Sequence, residues 1–235
     1  MATFFVSDVV IKNPIFGNVD ARAWQLSAES LFGEDQSHVS EWVAGGPAPE
    51  TVRLFNSSGS ALWGFPTLGR HDGPRGGQAV LFDGSQRIMT SAFSGRPQPH
   101  SVIVIARARN VSSVISTTAR LWGSGAVNAP NLVVNANDTV SAVCGNETLV
   151  LPNNHEWMGF GLSWTDKMMT FVTSDSVPQV AQLQTPPVDI TRNFIGGNNS
   201  AVTPNGLRGA ISQVVFWDRA LSGSELKARI SQLMI

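Results

Sequence analysis

Four histidines, one cysteine, no tyrosine and a thin scatter of acids are the groups with which this 235-residue chain could do chemistry. Glycoside hydrolysis needs two carboxyl groups about 5 Å apart for retention, or wider for inversion. No alternating run of acids supplies them, because Glu34-Asp35, Asp175 and Asp189 stand in separate loop-like stretches. Serine hydrolysis needs a nucleophile elbow or a Ser/His/Asp set, and the sequence contains no G-x-S-x-G. His38, His71, His100 and His155 fall in loop-like segments without metal-ligand spacing, which speaks against zinc. Gly69–Gly77 (GRHDGPRGG) gathers Arg70, His71, Asp72 and Arg75. It lacks the P-loop spacing and no helix follows it, so it reads as a structural turn. Cys144 has no His or Cys at ligand spacing and reads as a small buried apolar residue. The expectation is a protein that is not an enzyme.

Sugar recognition asks for less: an aromatic platform beside planar hydrogen-bonding groups. With tyrosine absent, the platform must come from the seven tryptophans, from Phe or from His. Trp164 and Trp217 sit inside strand patterns and read as core. Trp63 and Trp122, flanked by glycine turns, are the candidates for an exposed platform, with Arg70 and His71 as accompanying glycan contacts.

The elements that must position these groups are short strands. Runs such as Val80–Asp83, Ser101–Arg109, Val140–Val143 and Thr148–Leu151 are separated by Gly, Asn and Pro every eight to twelve residues. Ser101–Arg109 (SVIVIARAR) is nearly continuous in apolar residues, as a strand buried on both faces is. Met158, Phe160, Leu162 and Trp164 alternate along one face, and a turn at Thr165-Asp166-Lys167 returns Met169 and Phe171 to it. In Ala210–Phe216, plain alternation sets Ile211, Gln213 and Val215 against Ala210, Val214 and Phe216. Ser222-x-x-Glu225 then forms a capping box. Leu226, Ile230 and Leu233 follow with helical spacing, so this short helix must lie on something.

This closing strand and capped helix resemble the C-terminal signature of the laminin-G-like, concanavalin A-like jelly-roll family, of the kind found in bacteriophage virion proteins. Gln78–Ser85 (QAVLFDGS), Ser101–Arg109, the hairpin from Glu156-Trp157 to Val172, and Phe194–Gly197 (FIGG) resemble its internal motifs. Ala23–Glu29 with Val39–Trp42 resembles its entry segment. The resemblance spans residues 22–235 and implies an all-β, two-sheet antiparallel β-sandwich with one short C-terminal helix. The family holds lectins, glycanases, adhesion modules and virion proteins, so the resemblance settles little about function. Its calcium-binding members make calcium a candidate ligand. Asn135, Asn137 and Asp138, or Asp83, could contribute, although the family's metal-site spacing is not recognisable here.

Composition narrows the classes. Charged residues are 14% of the chain and the net charge is −1, which disfavours nucleic acid as a partner. No apolar run approaches the roughly 18 residues of a membrane span. Arginine outnumbers lysine, 13 to 3, and arginine suits planar, interfacial contacts. Residues 1–21 precede the resemblance and carry Phe4, Phe5, Val6, Val9, Val10 and Ile11. They read as an extra edge strand or as an assembly arm docking on capsid or other virion proteins or on a second copy. Met1-Ala2-Thr3 carries no basic stretch and Asp8 interrupts the apolar start, so no export signal is read. A phage protein, made in the host cytoplasm and located in the virion, reconciles an extracellular type of fold with that start. The leading expectation is therefore a virion structural protein of a tailed bacteriophage: a capsid decoration, head-spike or fibre subunit forming a homo-oligomer. The alternative is an adhesin module binding a host-surface glycan, with glycoside hydrolase a distant third.

Overall fold

The structure, a computed structural model, describes residues 23–39, 42, 44–45, 65–89, 95, 98–109, 119–124, 126, 128–197 and 207–235. The proposed arm at residues 1–21, its boundary at residue 22 and Trp63 lie outside the described residues. In chain order the strands are β1 (Ala23–Ser27), β2 (Thr67–Gly69), β3 (Ala79–Asp83), β4 (Ile88–Met89), β5 (His100–Arg109), β6 (Arg120–Gly123) and β7 (Asn131–Val134). They continue with β8 (Thr139–Cys144), β9 (Glu147–Pro152), β10 (Met158–Trp164), β11 (Met168–Thr173), β12 (Gln179–Gln182), β13 (Phe194–Ile195) and β14 (Arg208–Trp217), before helix α1 (Gly223–Leu233). One sheet runs β12–β11–β10–β5–β14–β3–β2, and β1 also pairs with β14. The second runs β4–β13–β6–β7–β8–β9, and all described pairings are antiparallel. The expected all-β sandwich with one C-terminal helix is the observed architecture.

The two-residue period decides what each sheet buries. In β5, Val102, Val104, Ala106 and Ala108 face the second sheet, as do Phe160, Leu162 and Trp164 of β10 and Met169 and Phe171 of β11. Trp122, Leu132, Val134, Val140 and Ala142 meet them from the other side. Cys144 belongs to this core, and burial pushes its thiol up to about 12, the inert state expected of it.

The opposite face of β5 is equally apolar up to Ile105, because α1 covers it. Ile103, Ile105, Val172, Val215 and Trp217 form a second core with Leu226 and Ile230 of the helix. β10 makes room for that close approach by turning Gly159, Gly161 and Ser163 toward the helix. A Cβ at Gly159 would collide with the Ile230 side chain, and one at Gly161 would lie 3.3 Å from Leu226. The helix start is fixed by the expected capping box: Ser222 Oγ accepts from the Glu225 N–H at 3.2 Å, and the Ser222 N–H donates to Glu225 at 2.8 Å. The Ser222 backbone bond, its hydroxyl and Arg219 hold the Glu225 carboxyl below the usual range. Lys227 Nζ ties the helix to the turn after β11, donating to the carbonyls of Thr173 at 3.0 Å and Ser176 at 2.8 Å, and to that of Ser174.

Plain alternation fails in β14. The register against β5 shifts between Ile211 and Gln213, so one extra residue, Ser212, interrupts the ladder. Ile211 therefore joins Val214 and Phe216 in the inter-sheet core, instead of sharing a face with Gln213 and Val215. An inserted residue inverts the phase of everything beyond it.

Candidate functional site

Beyond the reach of α1, the outward face of β5 changes from isoleucine to arginine. Arg107 and Arg109 continue the series of Ile103 and Ile105 on the same face. Registration carries that face across the sheet: Arg107 lies opposite Ala210, Ala210 opposite Leu81 and Leu81 opposite Thr67. One step toward the sheet's end, Arg109 lies opposite Arg208, and Arg208 opposite Asp83. Trp157 stands just before β10, where Met158 pairs with Ala106. The Arg107 guanidinium lies 5.8 Å from the centre of the Trp157 ring, within cation–π range.

Trp157 is half-buried, one part packed against the helix-covered core and the rest open to solvent. Asp72 approaches Arg107 from the Gly69–Gly77 loop at 3.9 Å, both side chains 41% exposed. That pair is long and solvated, so its contribution is small. Arg208 donates from Nε to the backbone carbonyl of Asp83 at 2.8 Å. The Asp83 carboxylate instead accepts from the N–H and the hydroxyl of Ser85, at 2.8 and 2.6 Å. The corner thus brings together an indole face, guanidinium donors and the Asp72 and Asp83 carboxylates, the groups that planar sugar recognition uses.

A second polar group joins loops at one end of the sandwich. His155 Nε2 and Asp138 Oδ1 are 2.8 Å apart, and Asn154 donates to Asp175 at 2.9 Å. Asn135 donates to Thr139 and Ser141, and Asn137 accepts from Thr139. The calcium candidates are thus taken up in local bonds: Asp138 turns to His155, Asn135 and Asn137 to their own hairpin, and Asp83 to Ser85. Among the described residues no group of three His, Cys, Asp or Glu side chains could hold a metal ion.

The remaining expectations separate. Trp122 is not an exposed platform: its ring is fully buried against Trp164 and Phe216, and its indole N–H donates to Asn193 at 3.0 Å. A register shift in β6 between Arg120 and Trp122 breaks the alternation, and Leu121 and Trp122 both enter the inter-sheet core. Arg70 and His71 are exposed, on the loop that brings Asp72 to Arg107. His100 is not a loop residue. It opens β5, 3% exposed, with its ring centre 5.1 Å from that of Phe216 and its Nδ1 3.4 Å from Asp218. Trp157, Arg107, Arg109 and Arg208 were not singled out as site residues. The A-R-A-R end of β5 carried a signal for two of them, since residues two apart share a face.

No protein-family model and no curated protein sequence matches the chain. Solved structures do resemble its fold. Domain 4 of the extracellular arabinanase AbnA from Geobacillus stearothermophilus, in complex with arabinotriose, aligns with a TM-score of 0.53 and 16% identity, over 71% of this chain and 82% of that one. The ligand binding domain of botulinum neurotoxin serotype D, in complex with N-acetylneuraminic acid, aligns with 0.57 and 8%, over 90% of this chain. Trypanosoma rangeli sialidase in complex with sialic acid aligns with 0.55 and 16%, over 96% of this chain. The chain spans about half of the toxin domain, 51%, and 36% of the sialidase. At such identities the likeness speaks for the β-sandwich fold alone.

Proposed function

We propose that this chain is a non-catalytic glycan-binding module and that the Trp157–Arg107 corner is its contact surface. The observation that carries the reading is the half-exposed indole held under a guanidinium, with Asp72 alongside. The arabinanase domain and the toxin domain were solved with sugars bound, which supports the same class of ligand here. Two of the loop acids bond non-acidic partners, Asp175 taking the Asn154 amide and Asp35 the Arg70 N–H, which favours binding over hydrolysis.

Glycan-array screening followed by titration calorimetry tests this. Wild type should bind at least one oligosaccharide class, and Trp157→Ala and Arg107→Ala should each weaken binding about tenfold or more without loss of the folded state. Unchanged affinity in both variants would move the site elsewhere, and turnover of the bound sugar would make the chain an enzyme. The virion subunit expected from the sequence gains no support from the neighbours named above, none of which is described as a virion protein. It yields to the glycan-binding reading, and recovery of the chain in density-purified phage particles would restore it.

A further inference from the structure

We infer that the ligand of this corner is an anionic glycan, gripped through its carboxylate or sulfate by Arg109 and Arg208; this rests on the glycan-binding reading above. The chain has thirteen arginines, and three of them, Arg107, Arg109 and Arg208, share one face over two adjacent strands. Arg109 and Arg208 are direct cross-strand partners. Like charges in that position repel and destabilise the pairing. With 14% charged residues, the surface is otherwise mostly neutral.

Among the described residues the nearby acids offset the cluster only in part, two carboxylates standing against three guanidinium groups. Asp72 reaches only Arg107, at 3.9 Å. Asp83 lies opposite Arg208 but spends a carboxylate oxygen on Ser85 and offers Arg208 its backbone carbonyl instead. Arg109 is exposed, at the end of β5, and has no ion-pair partner among the described residues. Each guanidinium presents five N–H donors and no acceptor, so the cluster holds a surplus of donors facing solvent. A planar carboxylate or a sulfate satisfies such forks bidentately and relieves the repulsion between them. A neutral hydroxyl supplies an acceptor but not the charge. Trp157 and Arg107, one step along the same face, would then hold the ring that bears the anion.

The test compares oligogalacturonate, its carboxyl-reduced neutral counterpart and a heparin oligosaccharide, by titration calorimetry at low and at 0.5 M salt. Wild type should bind at least one of the two anionic probes about tenfold more tightly than the neutral one. That preference should shrink at high salt. Arg109→Gln should reduce the preference severalfold, and Arg109→Gln with Arg208→Gln should abolish it, folding being checked by circular dichroism. Because Arg208 also bonds the Asp83 carbonyl, the single Arg109 variant decides the matter if the double variant fails to fold. Preference for oligogalacturonate identifies a carboxylate as the anion, and preference for heparin a sulfate. Equal affinity for the charged and reduced probes overturns the inference while leaving glycan binding intact. Binding to none of these probes nor to any glycan on an array removes both.

Discussion

Along β5 the outward residues change character between Ile105 and Arg107. Ile103 and Ile105 lie fully buried beneath α1 with Val215 and Trp217, while Arg107 and Arg109 stand past the end of that cover. The two halves belong to the same strands and share the same pleat. What separates them is the covering element, admitted by Gly159 and Gly161 on one half and replaced on the other by a loop that brings Asp72 to Arg107. A sheet face is thus a structural core where a helix seals it, and it is left to solvent where none does.

The largest effect should come from uncovering the sealed half. Ile230→Ala should cost about 2–5 kcal/mol in urea denaturation, as buried isoleucine truncations do. A loss below about 1 kcal/mol would mean that the helix does not seal this face. Gly159→Ala should cost about 1–3 kcal/mol by crowding Ile230. The penalty should largely disappear in the Ile230→Ala background, because the two sites share one contact. Additive costs would place the strain elsewhere. Ser222→Ala removes the cap and should cost about 0.5–2 kcal/mol.

On the open half, Arg109→Gln should change stability by no more than about 0.5 kcal/mol, or raise it slightly by relieving the repulsion from Arg208. A loss of several kcal/mol would show that this half is structural too. The smallest effect concerns pH. Since the folded state holds the Glu225 carboxyl below its unfolded range, its stabilising contribution is full above the unfolded value, near 4.3. It disappears as pH falls through the lower folded value. The stability difference between wild type and Glu225→Gln should therefore narrow on acidification; a difference that persists well below pH 4 would contradict the capping role.

Much of the scaffold was legible beforehand. Met158, Phe160, Leu162 and Trp164 read as one face because strand geometry alone imposes that period, and Ser222-x-x-Glu225 read as a cap because both bonds are local. The corner proposed as the contact surface was not legible in the same way. Trp122 drew attention through its glycine neighbours but is buried, and Trp157 passed as part of a hairpin motif but is half open.

What the sequence determined by itself are the features that act over a few residues: the strands, the capped helix, and the pairing of Arg107 with Arg109 on one side of β5. Only the tertiary structure decided the rest. The extra residue at Ser212 sent Ile211 inward, and strand order set Arg208, 99 positions further along the chain, beside Arg109. Where α1 ends decided which outward residues meet water. Register, sheet order and cover arise from packing between segments distant in sequence, and no local pattern encodes that.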